Sequence, residues 1–458
     1  MAGASPRRRD NARPSALDLS RPELPPDVVR AIIDRSGLQR GTYYPPNRRW
    51  RRNVPPPPAL RQCPVRYTPT NYRAQIALDV QRGPVLSLRG CLPLPSTDAV
   101  GYLFELLRRG PGNVARVDLQ DNGIDEAGGR AIAAALERTA LTTCTLLRNN
   151  LGKRAATAIS QVAQSTGVLL AVEPSRPYLE RTDVATDADC ILVASDLQVA
   201  DFSHLEISAD MGRMPNLRAI YDVLKANKTS LRRLSLFIGA VPAAAVASVL
   251  ETNVTLTYLN LTHASIGPLG AGRIAGALET NTTLRTLNLR SNAIRYAAQD
   301  VFESSAHLTT LDLSDADIPA HAADAIAIRL GTNTSLAALN LDDCPAVDTQ
   351  LVAHGLQTNA TLRFLALKRS VDFEGARHLL GVLGTANLTL RILDLSGTRD
   401  RAMLIEHLKT EYRGTEREYV GRYQKRRYWE SPDYWTYSYM NARVMTCQMA
   451  GREIDVFY

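Results

Sequence analysis

The side chains best able to do chemistry in this 458-residue chain are seven histidines (His204, His263, His307, His321, His354, His378 and His407) and six cysteines (Cys63, Cys91, Cys144, Cys190, Cys344 and Cys447). No two histidines fall in the HExxH spacing of a helical zinc site, and no CxxC pair exists, so the cysteines read as reduced thiols with neither a zinc centre nor a disulfide framework. Gly267, Gly270 and Gly272 approximate a glycine-rich phosphate loop, but no phosphate-binding lysine follows. There is no GxxxxGK[ST] and no GxSxG. Asp118, Asp312 and Asp394 recur at one position of a repeated phrase, which makes them a spaced acidic series and not an acid/base couple. The expectation is a chain without catalytic residues, cofactor or metal.

The elements that position these residues come from that phrase. From about residue 84 to residue 410, Leu-x-x-Leu-x-Leu is followed by a small or polar residue, an apolar one and a helical stretch. The clearest unit runs Leu256, Leu259, Leu261, Ala264, Ile266, Gly270, Ile274, Leu278, and the next begins 28 residues later at Leu284. Others start at Val114, Leu141, Leu231, Leu308, Leu336, Leu362 and Leu390, and a degenerate unit begins near Leu86. Leu259 and Leu261 share one strand face, whereas Ile266, Gly270, Ile274 and Leu278 form a helical stripe. One strand plus one helix cannot bury that stripe alone, so the units must stack into a solenoid. Leu287, Leu289, Leu311, Leu313, Leu339 and Leu341 should be buried with Leu259 and Leu261. The small residue at Gly270 should let the helix lie close to the strand layer.

Each unit closes on Asn-x-Thr/Ser-Leu, at Asn253, Asn281, Asn333, Asn359 and Asn387, with a longer variant at Asn227. The motif matches an N-glycosylation acceptor. Its fixed register favours a structural role, with asparagine in the left-handed conformation closing each helix.

LETNTTLRTLNLRSNAIRYAAQ and VARVDLQDNGIDEAGGRAIAAALE resemble leucine-rich repeats of the ribonuclease-inhibitor-like subfamily, over about 300 residues. The resemblance implies an α/β leucine-rich-repeat solenoid, a horseshoe with parallel strands on the concave side and helices outside. It implies protein–protein interaction and leaves the partner open, since this architecture serves inhibitors, GTPase activators, actin cappers, immune sensors and ciliary subunits.

The series divides the chain into a basic Pro/Arg-rich arm (1–83), N-terminal repeats (84–167), an irregular insertion (168–215), C-terminal repeats (216–411) and an aromatic, basic cap and tail (412–458). The arm holds 13 of the 25 prolines and 16 arginines against 6 acidic residues, a net of +10 in a chain of net +8. The excess charge therefore belongs to the arm and not to the repeats. Within it, Val28, Val29, Ile32 and Ile33 form one side of a short amphipathic helix, and Tyr43, Tyr44 and Trp50 alternate with arginines; both are candidate protein contacts. The tail concentrates tyrosines with Trp429 and Trp435, its first half read as a cap and KRRYWESPDYW as a partner contact.

Strand positions between buried leucines must point away from the core, which nominates Tyr258, Asn260, Asn288, Arg290, Asp312, Asn340, Asp342, Phe364 and Lys368 as a concave protein-binding face. Phe364 and Ile392 are apolar where polar residues are expected, so either a partner or the C-terminal segment should cover them. Apolar residues make up 45% and charged residues 22%, ordinary for a globular chain, and no apolar run approaches membrane-spanning length. With no signal peptide recognised, the reading is a soluble intracellular protein without membrane contact. Among relatives of this type the layout resembles axonemal subunits of the dynein regulatory complex or radial spokes. That implies a cytoskeletal location in a cilium or flagellum and partners that are other subunits or an acidic surface such as tubulin. The alternatives are a mitochondrial-ribosome-type ribonucleoprotein subunit whose arginine arm contacts RNA, and a soluble regulator of a GTPase.

Overall fold

A computed structural model describes residues 67–109, 113–171, 179–209, 214–418 and 443–458. Thirteen helices and fifteen strands lie among them. After α1 (Tyr72–Val80) the first sheet forms from β1 (Val85–Ser87), β2 (Arg116–Asp118) and β3 (Thr143–Thr145), alternating with α2 (Thr97–Arg109), α3 (Glu126–Leu136) and α4 (Lys153–Thr166). All three strands are parallel and in register.

The second sheet has twelve strands. Its parallel part runs through β4 (Leu179–Asp183), β5 (His204–Ser208), β6 (Arg233–Phe237), β7 (Tyr258–Asn260), β8 (Thr286–Asn288), β9 (Thr310–Asp312), β10 (Ala338–Asn340), β11 (Phe364–Ala366) and β12 (Ile392–Asp394). Between these strands lie α5 (Asp187–Val199), α6 (Arg218–Lys225), α7 (Ala243–Leu250), α8 (Gly267–Leu278), α9 (Ala297–Glu303), α10 (Ala320–Leu330), α11 (Thr349–Thr358) and α12 (Phe373–Thr385). Leu259, Leu287, Leu311, Leu339, Leu365 and Leu393 face one another strand by strand. They are buried, as are Leu261, Leu289, Leu313 and Leu341. The architecture is the expected α/β solenoid, one strand and one helix per unit, and the core is the slab between the two layers.

Gly270 shows why a small residue recurs at the start of these helices. A Cβ there would come within 2.7 Å of the Ala243 Cβ on α7 and 3.0 Å of Ile266 Cγ2. The close approach is thus to the preceding helix, not only to the strand layer.

Three expectations need correcting. Residues 168–215 are not an irregular insertion: they carry β4, α5 and β5, and β5 lies in register with β6. Phe202, Leu205 and Ile207 occupy the first three leucine positions of a unit and are buried. Among the described residues the strand layer breaks between Leu169, which bridges to Thr143, and β4, while α5 carries the helix layer across. Two buried carboxylates of α5 satisfy the backbone at that break. Asp196 accepts from the N–H groups of Leu170 (2.7 Å) and Ala171 (2.8 Å), and Asp189 accepts from that of Arg148 (2.9 Å). Asp189 also forms a capping box with Thr186 at the start of α5. Burial pushes the Asp189 carboxyl upward and its backbone donors pull it back.

The cap is the second correction. It includes the last residues of the chain: after α13 (Arg401–Tyr412), strands β13 (Thr415–Glu418), β14 (Arg443–Met449) and β15 (Arg452–Phe457) extend the second sheet, while the rest of the first half of the tail lies outside the described residues. β15 pairs parallel to β12 and antiparallel to β14. Met445, Cys447, Met449, Ile454 and Val456 close the apolar slab against Leu393, Leu404 and Leu408. KRRYWESPDYW, with Trp429 and Trp435, lies outside the described residues, as does the arm with Val28, Val29, Ile32, Ile33, Tyr43, Tyr44 and Trp50. Third, Cys91 is disulfide-bonded, contrary to the reading of reduced thiols, whereas Cys144, Cys190, Cys344 and Cys447 are free and buried. Among the described residues no helix is long and apolar enough to cross a membrane.

Candidate interaction surface

The face of the second sheet turned away from the helices has three rows of outward side chains, and their fates differ. The middle row, Asn260, Asn288, Asp312, Asn340, Ala366 and Asp394, is aligned by strand register. Every member is buried; Asn260 keeps 1% of its exposure and Asp312 2%. Each polar member uses one oxygen to accept the N–H two residues on, where the strand ends. These bonds run from Thr262 to Asn260 (3.0 Å), Arg290 to Asn288 (2.9 Å), Ser314 to Asp312 (3.0 Å), Asp342 to Asn340 (2.8 Å) and Ser396 to Asp394 (2.8 Å). Asp118 does the same for Gln120 in the first sheet (3.1 Å). Adjacent strands lie about 4.8 Å apart, close enough for neighbouring side chains to shield one another. Asn260, Asn288, Asp312 and Asn340 therefore hold strand ends and have little surface for a partner, a correction to the face read from alternation alone.

Asp342 and Phe364 leave that face too. Asp342 is buried and accepts the Lys368 N–H at 2.8 Å. Phe364 keeps 9% of its exposure and packs with Ala338, Ala366, Ile392, Val444 and Phe457. Of the two covers expected for Phe364 and Ile392, the C-terminal hairpin is present.

Tyr258, Arg290 and Lys368 remain partly exposed. The Arg233 guanidinium sits 5.3 Å from the Tyr258 ring centroid, a cation–π contact. Arg290 and Lys368 belong to a rim where the strands end. Its turn residues His263, Ser291, Asp315, Asp343 and Arg369 all have φ between 53 and 57°. That left-handed backbone disfavours side chains, yet it aims each N–H at the carbonyl of the next unit. His263 donates to Arg290 (3.1 Å), Ser291 to Ser314 (2.9 Å), Asp315 to Asp342 (2.9 Å), Asp343 to Lys368 (2.8 Å) and Arg369 to Ser396 (2.9 Å). Their side chains are thereby turned outward as a charged edge. Arg369 pairs with Asp343, and the Ser291 hydroxyl donates to Asp315 at 2.8 Å. The first sheet has the same device, where Asp121 takes Arg89 and Arg148, each at 2.9 Å.

Buried acids give this face its unusual electrostatics. Burial pushes Asp312 up to about 6 against the opposing bonds from Ser314. Burial, then the neighbouring charge of Asp394, pushes Asp342 up to about 7. Asp312 and Asp394 are three strands apart, about 14 Å at ordinary strand spacing, and Asp342 feels the charge of both. Among the described residues no cluster of histidine, cysteine or carboxylate side chains could hold a metal. His263, His307, His321 and His354 are exposed.

The Asn-x-Thr/Ser-Leu asparagines are structural, by a mechanism other than the expected one. Only Asn227 takes the left-handed conformation, with φ 52°. In Asn281 the side-chain oxygen accepts from the N–H groups of Thr283 (3.0 Å) and Leu284 (2.8 Å), starting the next strand. Its amide donates to Leu250 O (2.7 Å) and Asn253 O (3.2 Å) of the preceding unit. Asn359 and Asn387 repeat the pattern. A second asparagine ladder, Asn122, Asn149 and Asn292, was not singled out in the sequence. Asn292 donates to Leu261 O and Leu289 O and accepts from Ile266 N. Its signal was the asparagine three residues after the last leucine of those units.

Residues 252–275, 280–297 and 304–327 match the family model described as Leucine Rich repeat. Among solved structures, the chain is similar to one in the crystal structure of the Rad7 and Elc1 complex in yeast. That match has 14% identity, covers 72% of this chain and 83% of that one, and has a TM-score of 0.26. It is also similar to a chain in the TLR13–ssRNA13 complex, at 15% identity over 62% of this chain and 46% of that one, with a TM-score of 0.28. No curated protein matches.

Proposed function

This chain is a leucine-rich-repeat protein, and from that premise we propose that it is a non-enzymatic interaction scaffold, a structural subunit of a large assembly. The observation that carries the reading is the use made of its polar chemistry. The middle-row carboxylates and asparagines are bonded into the sheet, and what faces outward is the charged rim of Arg290, Asp315, Asp343, Lys368 and Arg369. Stacked repeats present such an extended surface without need of a reactive centre.

The finer reading is an axonemal subunit of a cilium or flagellum. Its support is the joining of a repeat framework of net negative charge to an arm of net +10, since such an arm suits an acidic protein surface such as tubulin. Fractionation of the tagged full chain tests this. The expected result is retention in the detergent-resistant cytoskeleton. Co-sedimentation with ribosomal particles would replace it with the ribonucleoprotein alternative, and a freely soluble pool with the GTPase regulator.

A further inference from the structure

Asn-x-Thr/Ser triplets occur at Asn227, Asn253, Asn260, Asn281, Asn333, Asn359 and Asn387. Each is a formal acceptor for N-glycosylation, in which an oligosaccharide passes from a lipid diphosphate to the asparagine. The step forms a bond between Nδ2 and the first sugar carbon, breaks the bond from that carbon to the lipid diphosphate and releases a proton from Nδ2. An acceptor therefore gives up one N–H and needs room for a bulky group.

Four members of the ladder have neither to spare. Asn253, Asn281, Asn359 and Asn387 keep between 1% and 5% of their exposure. The amides of Asn281, Asn359 and Asn387 each donate to two carbonyls of the preceding unit; for Asn387 these are Leu356 O (2.8 Å) and Asn359 O (3.0 Å). Asn253 donates to Leu224 O at 2.8 Å. A sugar on Nδ2 would remove a bond that ties one unit to the next and wedge polar bulk between stacked units. Asn260, buried in β7, has no room either.

Asn333 breaks the pattern. The unit before it has Ser305 at the ladder position, three residues ahead of Leu308. The carbonyls that the Asn333 amide would reach are occupied, since Ser305 Oγ donates to Phe302 O (2.6 Å) and Ser335 Oγ to Ser305 O (3.0 Å). Asn333 still accepts from Ser335 N (3.1 Å) and Leu336 N (2.9 Å), but among the described residues its amide donates no hydrogen bond, and the residue is only partly buried. Asn227 is exposed, so the exclusion does not extend to it.

Glycan transfer acts on the chain before it folds, so burial gives these asparagines no protection; a modified chain is instead unable to close the ladder. We infer that N-glycosylation at Asn253, Asn260, Asn281, Asn359 or Asn387 is incompatible with the folded array, which completes its fold away from glycan transfer, and that Asn333 is the ladder position able to carry a glycan. The disulfide of Cys91 requires an oxidant but no glycan and leaves this inference untouched. The inference is independent of the scaffold reading, which concerns what the rim binds.

The test directs the full chain into the secretory lumen of cultured animal cells behind a cleavable signal peptide. A second arm adds Thr255→Val, Thr262→Val, Thr283→Val, Thr361→Val and Thr389→Val, which remove those triplets and keep every asparagine. A third arm uses the wild-type chain with tunicamycin, which stops synthesis of the lipid-linked donor. Folding is read by protease resistance, and occupancy of each asparagine by mass spectrometry. The wild-type chain should be occupied at ladder positions and protease-sensitive. The variant and the inhibitor arm should each yield severalfold more resistant chain, and resistant variant should include molecules occupied at Asn333. Resistant chain occupied at any of the other five positions would overturn the exclusion, as would no gain in resistant chain with the inhibitor. Resistant wild-type chain unoccupied at all five would overturn the inference about where the chain folds, and resistance lost whenever Asn333 is occupied would overturn its assignment. The inhibitor arm decides by itself if the five substitutions unfold the chain made without the signal peptide.

Discussion

Asp312 stands between two asparagines that do the same work: Asn288 and Asn340 flank it on adjacent strands, and all three accept the N–H that ends their strand. The charge is thus dispensable to the hydrogen bonding. Burial raises the Asp312 carboxyl from 3.8 to about 6, so the folded chain holds this proton more tightly than the unfolded one. The stability it contributes is complete below pH 3.8 and is lost as pH rises to about 6. Asp312→Asn should therefore stabilise the protein at pH 8 by on the order of 1 kcal/mol, with the gain vanishing near pH 4. Urea unfolding at the two pH values checks this; an equal effect at both, or a loss at pH 8, would contradict it. At this scale the leucines were legible because alternation and burial coincide. The outward polar row was not: alternation tells which way a side chain points, and says nothing of how closely its neighbours on parallel strands crowd it. Asparagine misled in a related way. Its tolerance of left-handed backbone was read as its role, where the fold uses its amide as a two-sided connector between units.

At the scale of the element, the ends and the junction decide how far a stack can run. Val456 of β15 is fully buried beside Leu393, closing the last unit. Val456→Asp would bury an unpartnered carboxylate at a cost of several kcal/mol. Repeat arrays transmit stability between neighbours, so the loss should be local. Hydrogen exchange should show lost protection in β11, β12 and α12, with β1 to β3 unchanged. Uniform loss across both sheets, or none, would contradict the role given to β15. Helices and strands of the regular units were legible from the phrase alone. The unit starting at Phe202 was missed because phenylalanine stands at its first leucine position, although Leu205 and Ile207 keep the spacing. β4 was hidden further by Thr182, a buried hydroxyl residue where the phrase has leucine. The C-terminal cap was foreseen as a necessity of an open apolar end, but the part of it formed by the alternating Met445, Cys447, Ile454 and Val456 was overlooked because aromatic density drew attention elsewhere.

At the scale of the described solenoid, the chain divides its labour between a stacked core that bonds its middle-row asparagines and aspartates to the strand ends and an outward charged rim. The candidate site was only partly visible in advance: Arg290 and Lys368 hold their predicted exposure, while six neighbours on the same face are buried. The measurement that bears most directly on the scaffold reading is quantitative mass spectrometry of proteins co-purified with the tagged full chain carrying Arg290→Glu and Lys368→Glu. Both side chains lie at the partly exposed rim and favour the ionised forms of Asp312 and Asp342, so melting is compared at about pH 5, where those carboxyls are largely protonated and the reversal should shift it by no more than about 2 °C. Recovery of partner subunits should fall severalfold as complementary charges are opposed. An unchanged set of partners at unchanged stoichiometry, from a chain that melts normally, would contradict the assignment of this rim as the working surface.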